Sequence, residues 1–394
     1  MNTTEINLKE NNAVENSWKK QSSKFSRREF IVGAGAIALT GVLAGCKGEV
    51  ITTTAPGTTH TVTVPPVTVT VEPSPEERPS FTVIDMLGRT VTIPGTVNKV
   101  ATFGANGVLN TMTQTMGMGS TICHQMQERF TKGAWKYQNV FSPQLNDPDL
   151  PAVEFGGEID IEAILKLNPD VCLVMTPANA QILEDKGLSA IYLRWQTLDD
   201  IPPCISLLGK VFGKEAIAGD YLNYFYTEIA EADLLTAKIS EADRKRVVYG
   251  SITSYTQPHA IAEWWIYRAG GYSVTSDGRD VEEVSHPTYT AEDLLMWDPE
   301  VIVTTAANIE EIRGMDILRN VTALKNNEIY YIPTVAHVWG NRTTEQTLTI
   351  FWMMNKLYPD LMPLDTLKEK VHYFYDHFFL TDLTDEQLTE ILGG

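Results

Sequence analysis

One stretch occurs twice in this chain and constrains its architecture more than any other feature. The first copy runs Ile161-Glu162-Ala163-Ile164-Leu165-Lys166-Leu167-Asn168-Pro169-Asp170-Val171-Cys172-Leu173-Val174. The second begins at Ala291 and runs through Glu292, Asp298, Pro299 and Glu300 to Thr304, 130 residues further on and without a gap. Each copy predicts a short helix with a Glu near its start, a turn at Asn/Asp-Pro, then a buried strand. Proline cannot continue a helix and restricts the residue before it, so the turn has a cause. The apolar run that follows is short, as expected of a parallel strand covered on both faces. A repeat of this kind implies two related halves.

The remaining signals fall in a matching order. Residues 81–94 alternate through Phe81, Val83 and Asp85, then Val91 and Ile93, around Gly88-Arg89, which is a hairpin pattern. Residues 99–106 read as a strand entering a Gly-containing loop, with a helix over 110–118. Residues 190–193 form another strand, ending at Arg194-Trp195-Gln196. A helix over 199–212 follows, its Pro202-Pro203 tolerated only in the first turn. Leu222, Phe225, Ile229, Ala232, Leu235 and Ile239 then recur at spacings of three and four. They predict one stiff helix over 220–242, on the order of 30 Å long. After it Arg246-Val247-Val248-Tyr249-Gly250-Ser251 echoes residues 99–104. Gly270-Gly271 marks a turn, the second repeat copy follows, 328–333 is a last strand, and 344–357 and 364–379 are closing helices. The fold class is α/β: two βα-rich lobes, residues 81–219 and 244–394, each with a mainly parallel sheet, joined by a single long rigid helix over 220–243.

The first eighty residues read as an address and a tether. Ser26-Arg27-Arg28-Glu29-Phe30-Ile31 is a twin-arginine pattern, and residues 31–45 that follow carry no charge. Fifteen apolar residues are too few to span a bilayer and suit a signal peptide over 1–45. The segment closes on Leu43-Ala44-Gly45-Cys46, a lipobox pattern that marks Cys46 for lipidation. Residues 46–80 are rich in Thr, Val and Pro and predict an extended tether, with strand as the competing reading of the Thr/Val alternation. This places a globular protein on the outer face of the cytoplasmic membrane, in a periplasm or at a cell surface. It is held there by lipid alone.

A formal net charge of −19 argues against a nucleic-acid partner, which would favour a basic stripe. The four cysteines show no CxxC spacing, so a cysteine zinc site is not expected; Cys172 reads as a core residue, and export would allow a Cys123–Cys204 disulfide.

Taken together, residues 81–380 resemble the substrate-binding proteins of ABC importers for iron–siderophore complexes, haem and cobalamin, the periplasmic binding proteins with a helical backbone. The likeness rests on Asp85-Met86-Leu87-Gly88-Arg89-Thr90, on both Glu…Asn/Asp-Pro-Asp/Glu units, on Ala269-Gly270-Gly271, and on Leu324-Lys325-Asn326-Asn327-Glu328 ahead of Tyr358-Pro359. It implies a ligand held between the lobes, no catalysed reaction, no cofactor, and a monomer with modest lobe motion. It also implies that Glu162 and Glu292, one per lobe, dock onto basic pockets of a permease. The competing role for each is to complement its helix dipole.

Ligands of open α/β sheets sit beyond the C-terminal ends of the strands. That rule selects Phe103 and Asn106, Arg194 and Trp195, Tyr255, Trp264, Trp339 and Arg342 as ligand-binding candidates. The aromatics would give flat walls for a bulky chelate and the arginines would take its carboxylates. One of Trp264-Trp265 belongs to the core, and Arg342 has Glu345 as an alternative partner. The expected cargo is a chelated iron compound, a ferric siderophore or haem-like complex, with a corrinoid such as cobalamin second. Direct zinc or manganese binding would need a His259/His286/His337 cluster. A secreted enzyme stands last, because Gly-x-Ser-x-Gly, HExxH and GxxxxGK motifs are all absent.

Overall fold

The computed structural model describes residues 50–55, 58–63, 79–127, 130, 133–155, 158–257, 263–275, 288–305 and 309–393. The chain divides into two compact units, residues 1–70 and 71–394. In the first, β1 (Val50–Ala55) and β2 (Thr58–Thr63) pair antiparallel, Val50 opposite Thr63. Over these residues the Thr/Val alternation therefore forms strands rather than an extended tether. The signal segment and Cys46 lie outside the described residues.

The second unit opens with the hairpin of β3 (Phe81–Ile84) and β4 (Thr90–Ile93). Its turn passes through Gly88 at φ 80°, a left-handed conformation natural to glycine. Asp85 explains the turn motif: Oδ1 accepts the Leu87 and Arg89 amides at 3.0 Å each, and Oδ2 accepts the Tyr192 amide at 3.1 Å. One buried carboxylate closes the hairpin and ties it to the neighbouring sheet.

That sheet contains β5 (Val100–Phe103), β8 (Val171–Val174) and β9 (Ala190–Tyr192), all parallel, in the order β5-β8-β9. The short antiparallel pair β6 (Glu154–Phe155) and β7 (Glu158–Ile159) lies between β5 and β8 in the chain. Helices of seven residues or more in this half are α1 (Asn106–Thr115), α2 (Ile161–Leu167), α3 (Pro177–Glu184) and α4 (Ile201–Phe212). The second sheet is also parallel, in the order β11-β10-β12-β13, from β10 (Arg246–Gly250), β11 (Tyr272–Ser273), β12 (Val301–Thr304) and β13 (Ile329–Tyr331). Val100 pairs with Val171 and Val247 with Val301, so the echo of residues 99–104 in 246–251 corresponds to equivalent strands.

Between the sheets runs α5 (Glu215–Thr236), 22 residues and about 33 Å long. It starts and stops roughly five residues before the predicted 220–242. Gly213, left-handed at φ 64°, ends α4, and α5 begins two residues later. Beyond Thr236 the Ile239 amide returns to the Thr236 carbonyl at 3.0 Å, so the apolar period continues through a turn rather than a helix. α5 is also braced. Tyr221 donates its hydroxyl to the Thr344 carbonyl at 2.8 Å, and Lys370 bridges Glu228 and Glu231 at 2.8 Å each. The described helices of seven residues or more in the second half are α6 (Ala291–Trp297), α7 (Gln346–Leu357), α8 (Leu364–Phe379) and α9 (Asp385–Ile391), the last not foreseen. Cys123 and Cys204 are free thiols, so the disulfide that export would allow is not formed.

The repeated unit has one geometry in both places. α2 and α6 each end on a left-handed residue, Asn168 at φ 49° and Asp298 at φ 42°. This explains the residue types: Asn and Asp tolerate that conformation better than other residues with a side chain. The acid after the proline has a matching task. Asp170 Oδ2 accepts the Lys99 amide at 2.9 Å and Glu300 Oε2 accepts the Arg246 amide at 3.1 Å, tying each turn to the edge where the adjacent strand starts. Asn168→Val should lower the unfolding free energy by about 1–2 kcal/mol in urea titration, whereas Asn168→Gly should change it little. Equal stability of the Val variant would show that the left-handed cap is not required.

Candidate functional site

The C-terminal ends of β5 and β13 face a common cavity of about 220 Å³ lined by Gly104, Ala105, Gly107, Val108, Phe130, His337, Asn341 and Arg342. Its floor in the first half is the start of α1. The first amides of a helix lack intrahelical acceptors and carry the positive end of its dipole. Ala105 at the cap position has no side chain to satisfy them. The Gly104 amide is taken by Glu154 Oε2 at 2.9 Å.

The other side is the segment 333–345, which leaves β13 and leads into α7. His337 packs directly on Gly107: a Cβ there would lie 2.9 Å from the ring Cδ2, so only glycine fits. Trp135 meets the same imidazole edge-on, centroids 5.2 Å apart. His337 is buried, and burial, helped by the neighbouring Arg342 charge, pushes its pKa down to about 4. Arg342 is itself partly buried, and that burial lowers its pKa. Its Nε is enclosed without a hydrogen-bond partner, and the guanidinium makes no ion pair among the described residues. The expected alternative partner, Glu345, is not at the surface; it is fully buried and bonded elsewhere.

The remaining candidates are placed as follows. Asn106 opens α1 and is buried, its Nδ2 donating to the Thr102 carbonyl at 2.7 Å. Phe103 is enclosed in the core and stacks on His124. Arg194 is half exposed and paired with Asp200 at 2.6 Å. Trp195 and Trp339 are fully buried in the core. Trp339 Nε1 donates to Glu345 and to Tyr375. Tyr255 meets Tyr289 edge-on, and Trp264 packs on Phe225. Thus only Arg342 of the eight lines the cavity, with Asn106 behind its floor. Gly107, Val108 and Phe130 were not singled out; the Gly at the head of a helix was the available signal.

His259 and His286 lie outside the described residues, and among those described no three His, Cys, Asp or Glu side chains converge as a metal site. His124 is structural. Its Nε2 accepts the Thr102 amide at 2.9 Å, so Nδ1 carries the proton donated to the Gln125 carbonyl, and burial pushes its pKa down to about 4.

Two parallel lobes bridged by a helix, with a polar cavity where the strand ends converge, define a two-lobed solute receptor. The chain belongs to the periplasmic binding protein family, whose model matches residues 128–336. It is similar to the molybdate-binding protein MolA of Haemophilus influenzae, 24% identical over 345 residues covering 76% of this chain and 91% of MolA. The molybdate-bound MolA structure superposes with a TM-score of 0.64 at 20% identity, covering 77% of this chain and 99% of MolA. A periplasmic solute-binding protein of Veillonella parvula gives 0.67 at 22% identity, covering 80% and 97% of the two chains. The iron(3+)-hydroxamate-binding protein YxeB of Bacillus subtilis is 19% identical over 219 residues, 50% of this chain and 65% of YxeB. The protein is therefore an extracytoplasmic solute-binding protein of an ABC importer and not an enzyme.

Three deeply buried groups contribute to its acid stability. His124 and His337 are held neutral well below their ordinary 6.5, while burial raises Glu345 from 4.5 to about 7. Between about pH 4.5 and 6.5 the unfolded chain binds two protons at the histidines, and the folded chain binds one at Glu345. Each histidine costs stability on acidification and Glu345 opposes them, leaving a net of one proton. These three groups alone would make the unfolding free energy fall by about 1.4 kcal/mol per unit of acidification in that window, and Glu228, also raised by burial, would lessen the fall. Urea titrations at pH 5, 5.5 and 6 measure the slope, and His124→Gln should flatten it.

Proposed function

We propose that the cavity binds a compact anion, an oxyanion of the molybdate type, between the N-terminus of α1 and Arg342. One observation carries the reading: Arg342 is partly buried, with its Nε enclosed, faces the cavity and has no carboxylate partner among the described residues. An unpaired buried charge is costly, and a bound anion would supply the missing partner. The uncapped helix start offers amides and a positive dipole to the same space. The likeness to a molybdate-binding protein supports the reading.

A ferric siderophore remains the second reading. The edge-to-face pair of Phe130 and Trp135, centroids 4.7 Å apart, offers an aromatic wall beside His337. A cavity of about 220 Å³ is below the roughly 300–1,000 Å³ of drug-sized sites, so a chelate, haem or corrinoid would need the lobes further apart than they stand. Calorimetry with molybdate, sulfate and a ferric hydroxamate separates the readings. Molybdate should bind, and Arg342→Ala should weaken it about 10- to 100-fold, the value of one or two charge-assisted hydrogen bonds. Binding of the ferric hydroxamate alone would select the second reading.

The loaded receptor would deliver its cargo to a permease through Glu162 and Glu292. Both are exposed in the first turns of α2 and α6, and neither forms an ion pair among the described residues. Helix capping is done by others: Asp160 Oδ1 accepts the Ala163 amide, and Thr290 Oγ1 accepts that of Asp293. The two surfaces match further, with Leu165 and Leu295 exposed one turn on from each Glu. The tether and the lipid at Cys46, after twin-arginine export, would keep a monomeric receptor near that permease. Reversing both charges, Glu162→Lys with Glu292→Lys, should abolish uptake in cells while calorimetric affinity stays unchanged. Full uptake by the double variant would end the docking reading.

A further inference from the structure

We propose that Glu345 is a positioning residue for ligand binding: its buried carboxylate folds segment 333–345 so that His337 and Arg342 reach the cavity. The geometry is that of a loop wrapped around one group. Oε1 accepts the Ala336 amide at 3.1 Å and Trp339 Nε1 at 3.2 Å; Oε2 accepts the His337 amide at 2.8 Å and the Thr343 hydroxyl at 2.9 Å. Tyr375, on α8, donates its hydroxyl to Oε1 and accepts a second bond from Trp339 Nε1. Every one of these groups is buried, so water cannot replace the carboxylate if it is lost.

The consequence reaches the site through the backbone. The amide that Glu345 holds at residue 337 belongs to the histidine that packs on Gly107. The loop closes on itself between 336 and 345, and Arg342 projects from that closed turn into the cavity. Gln cannot substitute. Its NH2 group would face fixed amide donors at Ala336 or His337, and unlike a hydroxyl those donors cannot turn to accept.

The proposal rests on the cavity being the ligand site, so its test has one arm without ligand. Glu345→Gln should lower the hydrogen-exchange protection of the Ala336 and His337 amides at least tenfold and shift the Trp339 indole N–H resonance. Unchanged protection and an unmoved resonance overturn the proposal whatever the ligand. In the second arm molybdate affinity should fall at least tenfold in Glu345→Gln, while Asn168→Val, destabilised far from the site, keeps wild-type affinity. Equal losses in both variants would show a general effect of stability and overturn the positioning role. Should Glu345→Gln fail to fold, Tyr375→Phe, which touches the carboxylate but not the cavity, should produce the same exchange and affinity changes in weaker form. If wild-type protein does not bind molybdate, the oxyanion reading fails, and the exchange arm still decides the role of Glu345.

Discussion

An arginine drawn partly out of water must be held there by something other than its own charge. Removing such a group from solvent costs several kcal/mol unless an opposite charge or a full set of acceptors meets it. Arg342 has neither among the described residues. Its position is set by the chain around it, which is pinned at Glu345, at Tyr249 through Asn341 (2.8 Å), and at Gln138 through the Ala336 carbonyl. The last of these contacts comes from the other lobe, and Thr115 at the end of α1 reaches Thr344 at 2.7 Å. The loop that bears the cation is thus clamped to the helix whose amides face it. The two positive elements of the site form one mechanical unit.

This unit also explains the roles of the tryptophans. Flat apolar side chains beyond strand ends are reasonable candidates for ligand walls, yet Trp195, Trp265 and Trp339 are among the largest fully buried side chains. Trp265 Nε1 donates to the Gly340 carbonyl at 3.2 Å, and Trp339 donates to Glu345. Trp265 and Trp339 fill core volume and use their single N–H to fix part of the 333–345 segment, whereas the Trp195 N–H is buried without a partner among the described residues. Their effect on the cavity is therefore indirect.

How much was legible follows from which forces were local. Strand positions, the hairpin and the two-lobe order were readable because period-two and period-three-to-four apolar patterns act over a few residues. The register of α5 was not, because its start is set by the Gly213 cap of the preceding helix and its apolar period runs on past its end. The start of α1 was also misplaced, at 110 rather than 106, since a helix whose cap is Ala105 carries no capping signal. At the site, the loops after β5 and β13 that line the cavity were among several selected by the strand-end rule, and exposure within a loop depends on contacts far away in sequence. Gly107 faces the cavity because His337, 230 positions later, lies against it. Glu345 left a faint trace: it is the sole charge between Arg342 and Lys356, in a run otherwise uncharged.

The chain's net charge of −19 bears on the proposed anion in an instructive way. At long range such a surface repels anions, and screening limits that repulsion to a Debye length of roughly 8 Å at physiological salt. Within the cavity the dielectric is lower and the nearest charges dominate, so a helix dipole and one guanidinium can outweigh many distant carboxylates. In the proposed reading capture would depend on short-range geometry, which is the property Glu345 and Gly107 would protect. The outward acidity is left to act on a different partner. Two carboxylates at equivalent places on two lobes, without ion pairs among the described residues and each beside an exposed leucine, suit a basic two-fold surface better than they suit any anionic cargo. In the proposed reading, the repeat that divides the chain into halves would separate two recognition tasks, with cargo held between the lobes and the docking carboxylates carried outside them.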